Sequence, residues 1–91
     1  MDKKERVVLI GNKPIMSYVT NTAFQLKETN EIILRARGKF ISKAVDVSEI
    51  LRKRFLKEDI PFIKEIKIDT EKYIQNEKEI KVSTIDIILK K

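Results

Sequence analysis

The residues with the clearest chemistry are the cations in the run Arg35-Ala36-Arg37-Gly38-Lys39-Phe40-Ile41-Ser42-Lys43. The run reads as the end of a strand, a turn at a lone glycine and the start of a helix. Four cationic side chains surround that turn. Cations at a helix N-terminus oppose the helix dipole, by a few tenths of a kcal/mol each. A sequence that accepts this penalty predicts an anion at the turn, and a nucleic-acid phosphate is the anion that fits best.

The charge distribution agrees. The formal charge is +6 and the sequence pI is about 9.6. Between Arg35 and Lys57 there are eight basic residues against Asp46 and Glu49, so this stretch alone carries +6 and the remainder sums to zero. A localised excess builds an electrostatic face suited to an anionic polymer or surface. The chain has no cysteine and no histidine. Thiolate metal sites, disulfides and the commonest acid–base side chain are therefore excluded. No acids cluster beside the basic run. The expectation is a binding protein and not an enzyme, with no catalytic residue, no metal and no cofactor. There is no signal-like stretch and no apolar run near the roughly 20 residues that span a bilayer. Neither helix pairs a strongly basic face with exposed bulky apolar residues, so a membrane role is not expected. The expected location is cytoplasmic.

The elements that must position these cations follow from periodicity. Ninety-one residues suit one domain, 1–91, with a thin core that association with a second copy would supplement. Arg6 to Ile10 reads as a strand whose continuous apolar run suits burial on both faces. Pro14 opens a helix reaching about Glu28, with Ile15, Tyr18, Val19, Thr22, Ala23 and Leu26 on its apolar stripe. Glu31 to Arg37 is a second strand, with Ile32, Leu34 and Ala36 on one face and Ile33, Arg35 and Arg37 on the other. A second helix spans about Lys39 to Leu56, with Phe40, Ala44, Val47, Leu51 and Phe55 in line. Asp59 and Pro61 break the chain. A long β-hairpin occupies about 62–89, with the glycine-free turn Gln75-Asn76-Glu77-Lys78. Its second arm changes apolar phase between Val82 and Ile85. That change predicts a bulge near Ser83 or Thr84, or a change of burial along the arm.

A βαβ unit has parallel strands that finish at one edge of the sheet. This brings Asn12 and Lys13 toward Gly38, Lys39 and Lys43, where two helix N-termini offer backbone N–H groups. Lys39 and Lys43 share a helical face. Arg35 and Arg37 point the same way, roughly 6.5–7 Å apart. Together they can track a phosphate backbone. The plainer reading of each arginine alone is solvent exposure with an acidic partner across the sheet. Arg52, Lys53 and Arg54 sit at a helix C-terminus, where cations favour the dipole in any case. Phe55 is either a core residue or a contact between protein copies. Phe40 is the only aromatic near the turn, which argues against recognition by base stacking and for backbone-dominated binding to a duplex.

Five blocks carry a family resemblance: Val8-Leu9-Ile10-Gly11, Lys13-Pro14, Arg35-Ala36-Arg37-Gly38-Lys39, Ile41-Ser42-Lys43-Ala44-Val45-Asp46 and Val82-Ser83-Thr84-Ile85. In order and spacing they resemble the Alba family of archaeal chromatin proteins over nearly the whole chain. The resemblance implies an α+β two-layer fold, βαβαββ, with a four-stranded mixed sheet and two helices on one face. This is like the C-terminal domain of translation initiation factor three. It implies a homodimer that binds and coats double-stranded chromosomal DNA with little sequence preference, and that often binds RNA. It implies nucleic-acid contacts at Asn12, Lys13, Arg35, Arg37, Lys39, Lys43 and Lys81, and a dimer–dimer contact at Phe55. The alternative is an RNA-binding module or ribonucleoprotein component. Two departures stand out. Asn12 takes a position where the family loop often carries a lysine, so acetylation control there is not implied. The hairpin tip, Asp69 to Glu79, has a net charge of −2, where the family often carries Gly and Arg. That predicts a loose hold of this hairpin on DNA.

Overall fold

The computed structural model describes residues 6–91; residues 1–5, which the expected 1–91 domain includes, lie outside them. The element order is β1 (Val7–Leu9), α1 (Ile15–Gln25), β2 (Glu31–Arg37), α2 (Ile41–Ile50), β3 (Phe62–Gln75) and β4 (Lys78–Lys90). A 3-10 turn (Gly38–Phe40) leads into α2 and a π turn (Leu51–Phe55) leaves it. The sheet order is β1-β2-β4-β3, with β1 and β2 parallel and the remaining pairs antiparallel. This is the expected βαβαββ, four-stranded mixed arrangement.

Both helices lay their apolar stripes on one sheet face. Tyr18, Val19 and Ala23 from α1, with Leu26, Ala44, Val47 and Leu51, close over Val8, Ile32, Leu34, Ile85, Ile87 and Leu89. Pro14 is the N-cap of α1, where its missing N–H costs nothing. Backbone bonds from Lys27 to Phe24 and from Glu28 to Gln25 carry the chain one turn beyond the helix, to the expected end.

One expectation needs correction and two open alternatives are decided. β1 is not buried on both faces: it is a sheet edge and Leu9 is 69% exposed, because helices cover only one side. Phe55 does not complete the core stripe, since the π turn rotates it outward to 39% exposure. There is no bulge near Ser83 or Thr84, where pairing with β3 is unbroken; the register shift lies between Ile63 and Glu65 of β3. The phase change along β4 is a change of burial. From Thr84 onward the strand pairs with β2 beneath the helices, whereas residues 78–83 pair with β3 alone. The distal hairpin is therefore a two-stranded arm, and the chain extends 50 Å along its longest axis.

Candidate nucleic-acid interface

The loop between β1 and α1 is clasped from two sides. The Tyr18 hydroxyl oxygen accepts hydrogen bonds from the backbone N–H of Gly11 (2.9 Å) and of Lys13 (3.1 Å). The Lys43 ammonium donates to the carbonyl of Gly11 (2.8 Å) and to that of Lys13. It also lies 5.3 Å from the Tyr18 ring centre, a cation–π distance. Tyr18 is buried in the core and holds its polar end at the loop. The clasp leaves the Asn12 and Lys13 side chains exposed at the sheet edge. Two backbone N–H groups of the loop are thus satisfied within the protein. The Lys43 ammonium is likewise engaged by carbonyl oxygens, while keeping its charge.

The glycine turn stands beside this loop. Gly38 has φ +56°, a conformation that a side chain strains. Lys39 is exposed, with its ammonium 5.3 Å from the Phe40 ring centre. Neither Lys13 nor Lys39 forms an ion pair with a described residue. These two cations, with Asn12, form the uncompensated part of the edge.

Arg35 and Arg37 lie on the face opposite the helices, as strand alternation requires, but carboxylates meet them there. Arg35 donates through Nε and Nη2 to the two oxygens of Asp86, at 2.8 and 2.9 Å. The pairing holds the Asp86 carboxyl below its ordinary value, mainly through the Arg35 hydrogen bond, against partial burial and with help from Lys67. Arg37 reaches across β4 to Glu71 (3.3 Å) and to within 5.7 Å of the Tyr73 ring centre. A concavity of about 920 Å³ runs along this face, lined by Arg35, Arg37 and Lys67 and by Asp69, Glu71 and Asp86. The row of cations is therefore matched by a row of acids. This is the acidic partner across the sheet that the plainer reading anticipated.

The remaining sites lie apart. Lys81 is exposed on β4, opposite Lys72 of β3, on the helix-side face of the arm and away from Arg35 and Arg37. Arg52 and Lys53 both pair with Glu49 at the end of α2. Lys53 first, then Arg52, draw the Glu49 carboxyl below its ordinary value. Among the described residues no group of three or more His, Cys, Asp or Glu is placed to hold a metal, and no helix is long and apolar enough to cross a membrane.

Sequence reasoning missed Tyr18 as the loop's anchor, Asp86 and Glu71 as partners of the arginines, and Tyr73 beside Arg37. Tyr18 carried a signal, since a buried tyrosine on an apolar stripe needs a partner for its hydroxyl. The other three depend on hairpin register.

Comparison with known proteins places the chain. A sequence model of the Alba family matches residues 6–87. The chain is 47% identical over 88 residues to "DNA/RNA-binding protein Alba 1" of Archaeoglobus fulgidus, covering 96% of this chain and 97% of that one. It is 48% identical over 89 residues to "DNA/RNA-binding protein Alba" of Methanococcus maripaludis, covering 93% and 97%. The solved structure of Alba from Thermoplasma volcanium superposes with a TM-score of 0.84 at 40% identity, covering 94% of this chain and all of that one. The chain belongs to the Alba family.

Proposed function

We propose that this protein is a homodimeric, largely non-sequence-specific binder of double-stranded DNA that coats and compacts the chromosome. The observation that carries this reading is the uncompensated edge formed by Asn12, Lys13 and Lys39. It sits in a chain whose whole positive excess falls between Arg35 and Lys57. The names of the two relatives, DNA/RNA-binding proteins, support a nucleic-acid partner. Lys13 and Lys39 contact phosphate directly. Arg37 and Arg35 join by exchanging carboxylate for phosphate, and Lys81 adds a contact from the arm. Lys43 acts through the loop it clasps. The protein performs no catalysis.

Dimerisation has its own support. Ile66 and Ile68 lie on the helix-side face of the edge strand β3, yet they are 52% and 78% exposed. Exposed contiguous apolar surface on an edge strand marks an association site. Phe55, turned out of the core, suits contact between neighbouring dimers along DNA.

RNA is the second reading, favoured by the same relatives' names. The deciding experiment is equilibrium binding to DNA and RNA duplexes of identical sequence across a salt series. Tighter DNA binding that weakens steeply with salt is the expected result, because cation–phosphate contacts release counterions. Preference for the RNA duplex moves the reading to a ribonucleoprotein component. Salt-independent binding, or none, overturns it.

A further inference from the structure

The hairpin register puts an aromatic ring where the sequence shows none. Tyr73 lies on β3, two residues beyond Glu71 and on the same face as Arg37. Its ring takes no part in the core and is 40% exposed. The Arg37 guanidinium stands 5.7 Å from the ring centre and 3.3 Å from the Glu71 carboxylate. Lys72 and Gln75 complete an open concavity of about 690 Å³ around them. This belongs to the two-stranded arm, which has no helix behind it and no core of its own.

We propose that Tyr73, with Arg37 and Glu71, is a stacking subsite for an unpaired nucleobase. Three features select that ligand. A phenol ring beside a planar guanidinium offers flat, polarisable surface, which bases stack on regardless of sequence. The Glu71 carboxylate accepts hydrogen bonds from the exocyclic amino groups of adenine, cytosine or guanine, donors that a phosphate does not offer. The subsite adjoins the face where the arginines meet the backbone, so a strand held there has a base within reach. Paired bases within a duplex hide their faces, so the subsite serves single strands, loops and bulges. The proposal rests on the nucleic-acid reading above and extends it from backbone to base.

The test compares the wild type, Tyr73→Ala and Tyr73→Phe at one salt concentration. The probes are a DNA duplex, a single-stranded oligoadenylate RNA and the matching single-stranded DNA. Tyr73→Ala is expected to weaken single-strand binding by about 5- to 150-fold, the range for losing one base–aromatic stack. Duplex affinity should stay within about twofold, since a stack is not a phosphate contact. Tyr73→Phe, which keeps the ring, should bind like the wild type. Loss on both single strands identifies the base as the ligand. Loss on RNA alone also supports the subsite and makes RNA its source. Unchanged single-strand binding in Tyr73→Ala, or an equal loss on the duplex, overturns the proposal. A wild type that binds the duplex but neither single strand also overturns it. A wild type that binds none of the probes sinks the nucleic-acid reading itself. Thermal melting of both variants guards against unfolding.

Discussion

At the scale of single residues, the basic face is governed by groups that oppose or steer its cations. Asp86 occupies both hydrogen-bonding edges that Arg35 turns toward it, so a phosphate approaching Arg35 competes with a carboxylate already in place. Asp86→Asn removes that carboxylate competitor and raises the net charge of the face by one. Affinity for duplex DNA should rise several-fold and the salt dependence should steepen, read from a titration at several salt concentrations. Weaker binding by this variant would mean that Asp86 serves to aim Arg35 instead. The same pair sets a pH dependence. The Asp86 carboxyl is depressed by the Arg35 hydrogen bond, so unfolding raises it. Its stabilising contribution is complete above the unfolded-state value of about 3.9 and disappears as pH falls through the lower folded-state value. Thermal melts between about pH 5 and 2 should show a shallower acid decline for Asp86→Asn than for the wild type. Tyr18 steers differently. Tyr18→Phe removes the acceptor of the Gly11 and Lys13 N–H groups while keeping the ring and every charge. If the clasp serves to present Lys13, this variant lowers DNA affinity alone but adds little to Lys13→Ala. A double-mutant cycle on binding reads that coupling, and strict additivity would reduce the clasp to a purely structural role.

At the scale of elements, the sequence carries periodicity well and register poorly. Both helices and all four strands follow from apolar spacing, and the outward placement of Arg35 and Arg37 follows from strand alternation. The ion pair of Arg35 does not, because Asp86 lies 51 residues away and meets it only once β4 has chosen its place beside β2. Tyr73 is harder still, since it depends on β3 pairing with β4 beyond the last residue of β2. The clasp of Lys43 on Gly11 and Lys13 needs the loop folded against α2, which no local pattern reports. The hairpin turn shows the converse, where a local rule is broken. Gln75 pairs with Lys78, leaving Asn76 and Glu77 as a two-residue turn with φ of 51° and 64°. Such turns favour Asn-Gly, and glutamate in the left-handed region is strained by about 1–2 kcal/mol. Glu77→Gly should stabilise the protein by about 1 kcal/mol after the added freedom of the unfolded chain, raising Tm by roughly 4–8 °C. An unchanged or lower Tm would show that the arm does not melt with the body of the protein.

At the scale of the whole molecule, a thin core, a protruding arm and an uncovered apolar edge all point to association. A two-stranded hairpin is marginal in water without something to pack on. Here the arm's root carries Ile66 and Ile68 on an edge strand that no helix covers. Burying an isoleucine contributes about 1.5–3 kcal/mol, and a two-fold interface counts every side chain twice. Ile68→Glu therefore removes about 3–6 kcal/mol from a dimer built on this edge and sets two carboxylates near the axis. Its dissociation constant should rise at least about 100-fold. Because Ile68 is 78% exposed in the single chain, the fold itself should survive, which a circular dichroism melt can check. Sedimentation equilibrium should then find a dimer for the wild type and a monomer for Ile68→Glu at micromolar concentration. A variant that stays dimeric would move the interface to another face, and a monomeric wild type would remove dimerisation from the proposed function. The monomeric variant also isolates the contribution of pairing to binding. It retains Asn12, Lys13 and Lys39, so its residual affinity for DNA measures one edge alone. Two edges held in a dimer act at high effective concentration, so the wild type should bind a long duplex more tightly than twice that single-edge affinity.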